Sequence, residues 1–294
     1  MKVALYGKSI KDEHADSISK LLQSLSRRGD NVFYHESLRH DLDKHGILKG
    51  EQGNFFKSHQ DLDKSFDFMI SIGGDGTFLD TILLVRDLEI PILGINTGRL
   101  GFLSNTPTSK IEHAIDCLRE DMFHIEKRSL LQMKSSSKLF GANNYALNEI
   151  SILKRDSSSM ISIDVKLDEE PLNTYWTDGL IISTATGSTA YSLSCGGPIL
   201  MPGSGNFVIT PIAPHNLNVR PMVIDDQSVL KIKVEGRAER NLVALDSRSE
   251  ELQNFEELTI QKADHQISLV QIDKNNFINS LKAKLNWGLD KRNK

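Results

Sequence analysis

One stretch constrains what this chain can fold into more than any other: Phe66-Asp67-Phe68-Met69-Ile70-Ser71-Ile72-Gly73-Gly74-Asp75-Gly76-Thr77. Its first half is an apolar run of aromatic and branched residues, the pattern of a buried strand. The run stops at three glycines in four positions, where backbone must bend tightly or lie against something. Thr77 is placed to cap a helix whose apolar residues Phe78, Leu79, Ile82 and Leu83 recur at helical spacing. A strand, a glycine loop and a helix start form a site for anions, because free amides and the helix dipole point into the loop. Asp75 stands inside that loop. A carboxylate there is repelled by the ligand unless a cation or a proton transfer gives it a task.

The segments around this stretch alternate between strand and helix. Lys2–Tyr6 reads as a strand, residues 16 to 28 as a helix with Ile18, Leu21, Leu22 and Leu25 on one face, and Asn31–Glu36 as a second strand. Residues 40 to 64, polar and interrupted by glycines, read as a mobile loop. Ile90–Asn96 forms a further strand, followed by a second glycine loop at Thr97-Gly98-Arg99-Leu100-Gly101, and Ser109–Glu120 a helix. Such alternation predicts an α/β, Rossmann-like N-terminal domain with a parallel sheet over residues 1–125. Ligands of such sheets sit at the carboxyl ends of the strands, where both glycine loops fall. Two familiar nucleotide signatures are absent. Gly7-Lys8-Ser9 has Lys2 where a P-loop needs its first glycine, and no G-x-G-x-x-G occurs.

From about His124 the period changes. Ile161, Ile163, Val165 and Leu167 alternate with Ser162, Asp164, Lys166 and Asp168, and further strand patterns follow at 229–234, 241–245, 258–260 and 267–272. Residues 126–272 therefore read as a β-rich, β-sandwich-like C-terminal domain. A terminal helix within 273–294, with Phe277, Ile278, Leu281 and Leu285 on one face, is expected to pack back on the first domain.

Composition narrows the function classes. A net charge of −4 on 294 residues argues against a general nucleic-acid or membrane-surface binder. No apolar run reaches membrane-span length and the first residues lack a signal-peptide core, so a cytoplasmic location is expected. Cys117 and Cys195 are too few for a disulfide framework, and the nine histidines show no metal-ligand spacing.

Three stretches of the second half do not read as ordinary strands: Leu147-Asn148-Glu149-Ile150, Thr177-Asp178-Gly179-Leu180, and Ser183 to Ser192 with seven hydroxyls in ten residues. Each alone is most simply a turn or a solvated run. Together with the glycine loop they suit phosphate and sugar oxygens.

In their order along the chain these motifs resemble the NAD kinases. The resemblance runs through Gly73–Thr77, 94–103, Asn148-Glu149, Thr177-Asp178-Gly179, Thr186–Ser194 with Gly196-Gly197-Pro198, Pro211–His215 and Arg220-Pro221. It implies transfer of the terminal phosphoryl of ATP, or of polyphosphate, to the 2′-hydroxyl of the adenosine ribose of NAD. It also implies a divalent metal ion, usually Mg2+, and a homodimer or homotetramer. Carried over by motif, Asp75 is the acid that takes or orients the hydroxyl proton. Gly73, Gly74, Gly76 and Thr77 attend the donor phosphates. Asn148, Glu149, Asp178, Thr186, Ser188, Thr189, Ala190, Tyr191, Ser192, Leu193 and Ser194 attend NAD. The resemblance supplies no protein ligand for the metal. Two positions depart from the family pattern. Arg248 stands where many members have glutamine, and either pairs with a phosphate or points elsewhere. Trp176 stands where some bacterial members have arginine, and either stacks on a base or packs. The rival readings are a diacylglycerol-type lipid kinase, which shares the glycine loop, and a non-catalytic dinucleotide sensor.

Overall fold

The computed structural model describes residues 1–27, 29–48, 53–98, 101–155, 160–236, 240–272 and 277–286. It divides into two compact units, Met1–Lys127 with Ile267–Lys294, and Arg128–Gln266.

The first unit begins with β1 (Lys2–Tyr6), α1 (Ala15–Ser26), β2 (Asn31–His35), α2 (Glu36–Lys44) and β3 (Asn54–Phe56). It continues with β4 (Phe68–Ile72), α3 (Asp75–Val85), β5 (Ile92–Asn96), the two-residue β6 (Thr106–Pro107) and α4 (Ile111–Arg119). The strands lie in the order β3-β2-β1-β4-β5 and all pair in parallel. β4 and β5 are buried along their whole length, which is why both read as near-continuous apolar runs. Helix α1 buries Ile18, Leu21, Leu22 and Leu25, the four residues its periodicity singles out.

Residues 40–64 are not the single loop that their polarity suggests. Their start is the end of α2, capped by the His35 side chain on the Ser37 amide and anchored by Leu38 and Leu42 one turn apart. Further on, β3 adds a parallel edge to β2. Two buried leucines and one cap suffice for this helix, although its overall composition is polar.

The second unit opens within β7 (His124–Ser135) and continues through β8 (Tyr145–Ala146), β9 (Glu149–Leu153), β10 (Ile161–Leu167), β11 (Glu170–Thr177) and β12 (Gly179–Thr184). After the four-residue α5 (Tyr191–Ser194) come β13 (Asn206–Ile212), β14 (Met222–Asp225), β15 (Leu230–Gly236), β16 (Arg240–Leu245), β17 (Arg248–Gln253) and β18 (Glu257–Gln271). One antiparallel sheet runs β14-β13-β12-β9-β16-β17, and a second antiparallel run is β11-β10-β15-β18. Their inner faces share one core. Ile150, Ile182, Phe207 and Val243 come from the first sheet, Ile163, Val165, Ile232 and Ile260 from the second. That is a β-sandwich.

The boundary between the units falls inside β18. Leu269, near its end, pairs in parallel with Ile92 of β5 in the first unit. The last described element, α6 (Phe277–Leu285), belongs to the first unit and buries Leu281. The rest of the terminal segment, 273–276 and 287–294, lies outside the described residues, as do Arg99 and Leu100 of the second glycine loop.

Candidate active site

In the first unit the two glycine loops follow β4 and β5, neighbouring parallel strands in register at Ser71 and Gly94. Gly73 has φ 152°, and a Cβ on it would fall 2.3 Å from Thr77 Oγ1, so glycine is required there. Gly74 is the N-cap of α3 in extended conformation with no side-chain cap. Thr77 is therefore not the cap that its position suggests. It lies in the first turn, where its amide donates to Gly74 O at 3.0 Å, because the helix already starts at Asp75. A Cβ built on Gly74 or Gly76 would meet nothing within 4 Å. That open space adjoins a helix N-terminus whose first amides have no intrahelical acceptor.

Asp75 turns its carboxylate onto the second loop. Oδ2 accepts from the Phe102 amide at 2.8 Å, and Oδ1 accepts from the Leu103 and Ser104 amides at 3.1 and 2.9 Å. Asn96 shapes that loop, donating to Ser104 O at 3.0 Å and accepting from the Gly98 amide at 2.7 Å. Gly101 is what lets the carboxylate come so close: a Cβ there would lie 1.8 Å from Asp75 Oδ1. Each carboxylate oxygen offers about two acceptor positions. Among the described residues, backbone fills Oδ1 and leaves one acceptor place on Oδ2.

In the second unit a backbone contact gathers the hydroxyl-rich stretch around Asn148. The Thr184 amide donates to Asn148 O at 2.9 Å, and Thr184 Oγ1 donates to Leu147 O at 2.6 Å. A Cβ on Gly187 would sit 2.0 Å from Asn148 O, so only glycine allows the chain to pass there. The stretch then divides. Thr186, Ser188 and Ser192 are buried. Thr186 Oγ1 accepts from the buried Arg128 guanidinium at 3.3 Å. Ser188 Oγ donates to Ala185 O at 2.7 Å and accepts from the Leu200 amide at 2.9 Å. Ser192 Oγ bonds Thr210 Oγ1 at 2.8 Å. Thr189, Ala190, Tyr191, Leu193 and Ser194 remain partly or largely open. Asp178 sits between β11 and β12 and pairs with Lys154 Nζ at 2.6 Å.

Glu149 is the electrostatic centre of this half. Burial, with the Asp246 charge nearby, pushes its carboxyl up to about 8, against one backbone hydrogen bond from Tyr191 that opposes the shift. Its Oε2 is buried without a hydrogen-bond partner among the described residues. Asp246 is also pushed up by burial, yet it accepts from the Leu147 and Asn148 amides at 2.9 and 2.8 Å and from the Glu149 amide at 3.2 Å. Three donors let Asp246 keep the negative charge, and Glu149 takes the proton. A protonated Glu149 is a donor as well as an acceptor.

The chain matches the model of the ATP-NAD kinase N-terminal domain over residues 3–123 and that of the ATP-NAD kinase C-terminal domain over 147–272. This chain belongs to the ATP-NAD kinase family. It is 44% identical over 293 residues to the NAD kinase of Cytophaga hutchinsonii and 46% identical over 295 residues to that of Flavobacterium psychrophilum, with 100% of both chains covered in each case. Its fold resembles a crystal structure of yeast NADH kinase complexed with NADH, with TM-score 0.86, 23% identity and coverage of 99% of this chain and 89% of that one. It also resembles an NAD kinase from Archaeoglobus fulgidus in complex with ATP, with TM-score 0.73, 26% identity and coverage of 97% and 99%.

In this ATP-NAD kinase family member, the side chains of Arg248 and Trp176, which the resemblance left with two readings each, are accounted for differently. Arg248 donates from both terminal nitrogens to backbone, to Asn143 O and Tyr145 O at 2.5 Å each. Its guanidinium is thus drawn toward the 140–145 segment. Trp176 does not pack: it is 57% exposed, and its carbonyl accepts from the His215 amide at 2.8 Å. Two contributors escape a reading by motif. Asp246 holds the amides of 147–149, and the amides of Phe102–Ser104 hold Asp75. Backbone donors leave no trace in residue identity, and Asp246 is separated from Glu149 by 97 positions.

Proposed function

We propose that this protein is an NAD kinase that transfers the terminal phosphoryl of ATP to the 2′-hydroxyl of the adenosine ribose of NAD. The observation that carries this reading is the end-to-end match to NAD kinases at 44 to 46% identity, in a chain that keeps the glycine loop and its acid. The geometry suits the chemistry. The open space at Gly74 and Gly76 faces the first turn of α3, where amides and dipole favour phosphate. Asn148, Glu149, Asp178, Thr189 and Tyr191 offer the polar groups for the acceptor, and the protonated Glu149 donates to a ribose or amide oxygen. Thr186, Ser188 and Ser192 support that half by shaping the loop from within.

In the transfer, the ribose oxygen forms a bond to the terminal phosphorus as the bond from that phosphorus to the departing ADP oxygen breaks. The hydroxyl proton passes to Asp75 Oδ2, which accepts only the Phe102 amide among the described residues. Such a base contributes on the order of 10²–10⁴ in rate. The rest comes from alignment and charge stabilisation.

Among the described residues no group of three or more His, Cys, Asp or Glu could hold a metal. Mg2+ commonly keeps its waters and binds through substrate phosphates. We therefore place it with the donor, as part of Mg-ATP, and assign it no protein site. No described helix is long and apolar enough to cross a membrane. The cytoplasmic location and the homo-oligomer belong to the proposal and rest on the family resemblance.

The test is purified protein with NAD, ATP and Mg2+, followed by NADP formation. Steady turnover is expected, and Asp75→Asn should lower kcat by 10² or more while NAD affinity stays within a few fold. A wild-type protein that makes no NADP with any donor or metal sinks the reading.

A further inference from the structure

The terminal helix α6 carries no residue that the family motifs assign. Phe277, Leu281 and Lys284 stand at i, i+4 and i+7 and so share one face. Leu281 is buried. The Phe277 ring meets the Phe102 ring with centroids 6.0 Å apart. Lys284 Nζ lies 4.3 Å from the centroid of that same Phe102 ring and 3.7 Å from Asp75 Oδ2. The residue whose amide donates to Oδ2 thus also offers its ring face to the lysine. An ammonium over an aromatic face is held electrostatically without losing its hydrogen-bond donors.

The 3.7 Å separation is informative. It is too long for a hydrogen bond, yet it leaves room for a third oxygen at about 2.8 Å from both Nζ and Oδ2. Of the two carboxylate oxygens, the lysine faces the one that accepts a single backbone hydrogen bond among the described residues. It also answers the difficulty of an acid in a phosphate site. Asp75 and an incoming phosphate repel, and a cation beside both offsets that repulsion. Lysine suits the task, being a point charge on a flexible stem that can turn from a carboxylate to a phosphate oxygen.

We propose that Lys284 is a donor-binding residue that contacts the terminal phosphoryl group of the nucleoside triphosphate beside Asp75 Oδ2. This rests on the kinase reading for the identity of the donor. With donor absent, the ammonium serves as the counter-ion of Asp75. With donor present, it moves onto a terminal phosphate oxygen, and Oδ2 is left for the hydroxyl proton.

The experiment uses the full chain with Lys284→Met and Lys284→Arg. Calorimetry without NAD measures binding of Mg-ATP and Mg-ADP, and steady-state kinetics measures both KM values. Lys284→Met should weaken Mg-ATP binding and raise the ATP KM at least tenfold. Mg-ADP binding, which lacks the terminal group, should change less than threefold, and the NAD KM and melting temperature should hold. Lys284→Arg should recover most of the loss, because the charge is restored. Unchanged Mg-ATP affinity in Lys284→Met overturns the proposal. So does an equal loss for ATP and ADP that arginine does not repair, since that marks a role in folding alone. If the wild-type protein forms no NADP, the kinase reading falls, and the calorimetric comparison still decides the role of Lys284.

Discussion

At the scale of single residues, Glu149 has a strongly modified carboxyl. Its carboxyl titrates at about 8 where an ordinary glutamate titrates at 4.5, because burial and the Asp246 charge both penalise ionisation. A raised pKa in the folded state has a defined consequence for stability. Below pH 4.5 folded and unfolded chains both hold this proton, and the stabilising effect of the neutral side chain is complete. Between 4.5 and about 8 only the folded chain holds it, and the advantage falls progressively as pH rises through the folded pKa. Each unit of difference is worth roughly 1.4 kcal/mol. Glu149→Gln, neutral throughout, should match the wild type near pH 4.5 and exceed it by a few kcal/mol above pH 8. Denaturant titrations of both proteins across that range check this, and parallel pH profiles would refute it. The motif Asn148-Glu149 was legible in the sequence as polar residues in an apolar strand. That the glutamate is the proton holder was not, because this depends on three amides already claimed by Asp246.

At the scale of elements, the glycines separate into those that make room for side chains and those that make room for backbone. A methyl on Gly101 would collide with the free end of the Asp75 side chain, 1.8 Å away. A flexible side-chain end can move aside, so Gly101→Ala should fold. It should nevertheless displace the Asp75 carboxylate, the proposed base, and lower kcat at least a hundredfold, with NAD binding retained. A methyl on Gly187 would instead strike Asn148 O at 2.0 Å, in backbone pinned between the Asp246 carboxylate and the Thr184 amide. Gly187→Ala should cost about 1–3 kcal/mol in stability, measured by chemical denaturation. If both variants are equally stable and equally active, the loop packing described here is wrong. The same contrast explains which elements the amino-acid pattern reveals. β10 follows its alternation because one face is core and the other solvent. Helix α2 hid in a polar segment because only Leu38 and Leu42 face inward.

At the scale of the whole molecule, β14 forms one edge of its sheet, with Met222 and Val223 partly exposed and Leu217 nearby in sequence 87% exposed. Apolar residues at an open sheet edge favour pairing with a second chain. Light scattering at micromolar concentration should give a mass of two or four chains, and Val223→Lys should shift it toward one. A monomeric wild type would refute this.

The amino-acid sequence alone determined where each chemical group stands along the chain. The apolar run into Gly73-Gly74-Asp75-Gly76 dictates strand, turn and helix start, and strict alternation over 161–167 dictates a half-buried strand. Local backbone preference and side-chain period suffice for both. The tertiary structure decided what each group meets. It turned the Asp75 carboxylate onto amides 27 to 29 residues away, set the proton on Glu149 by giving the competing donors to Asp246, and brought Lys284 of the terminal helix to the acid of the glycine loop. Those are contacts between distant segments, made through backbone amides and burial, which no local pattern of side chains encodes.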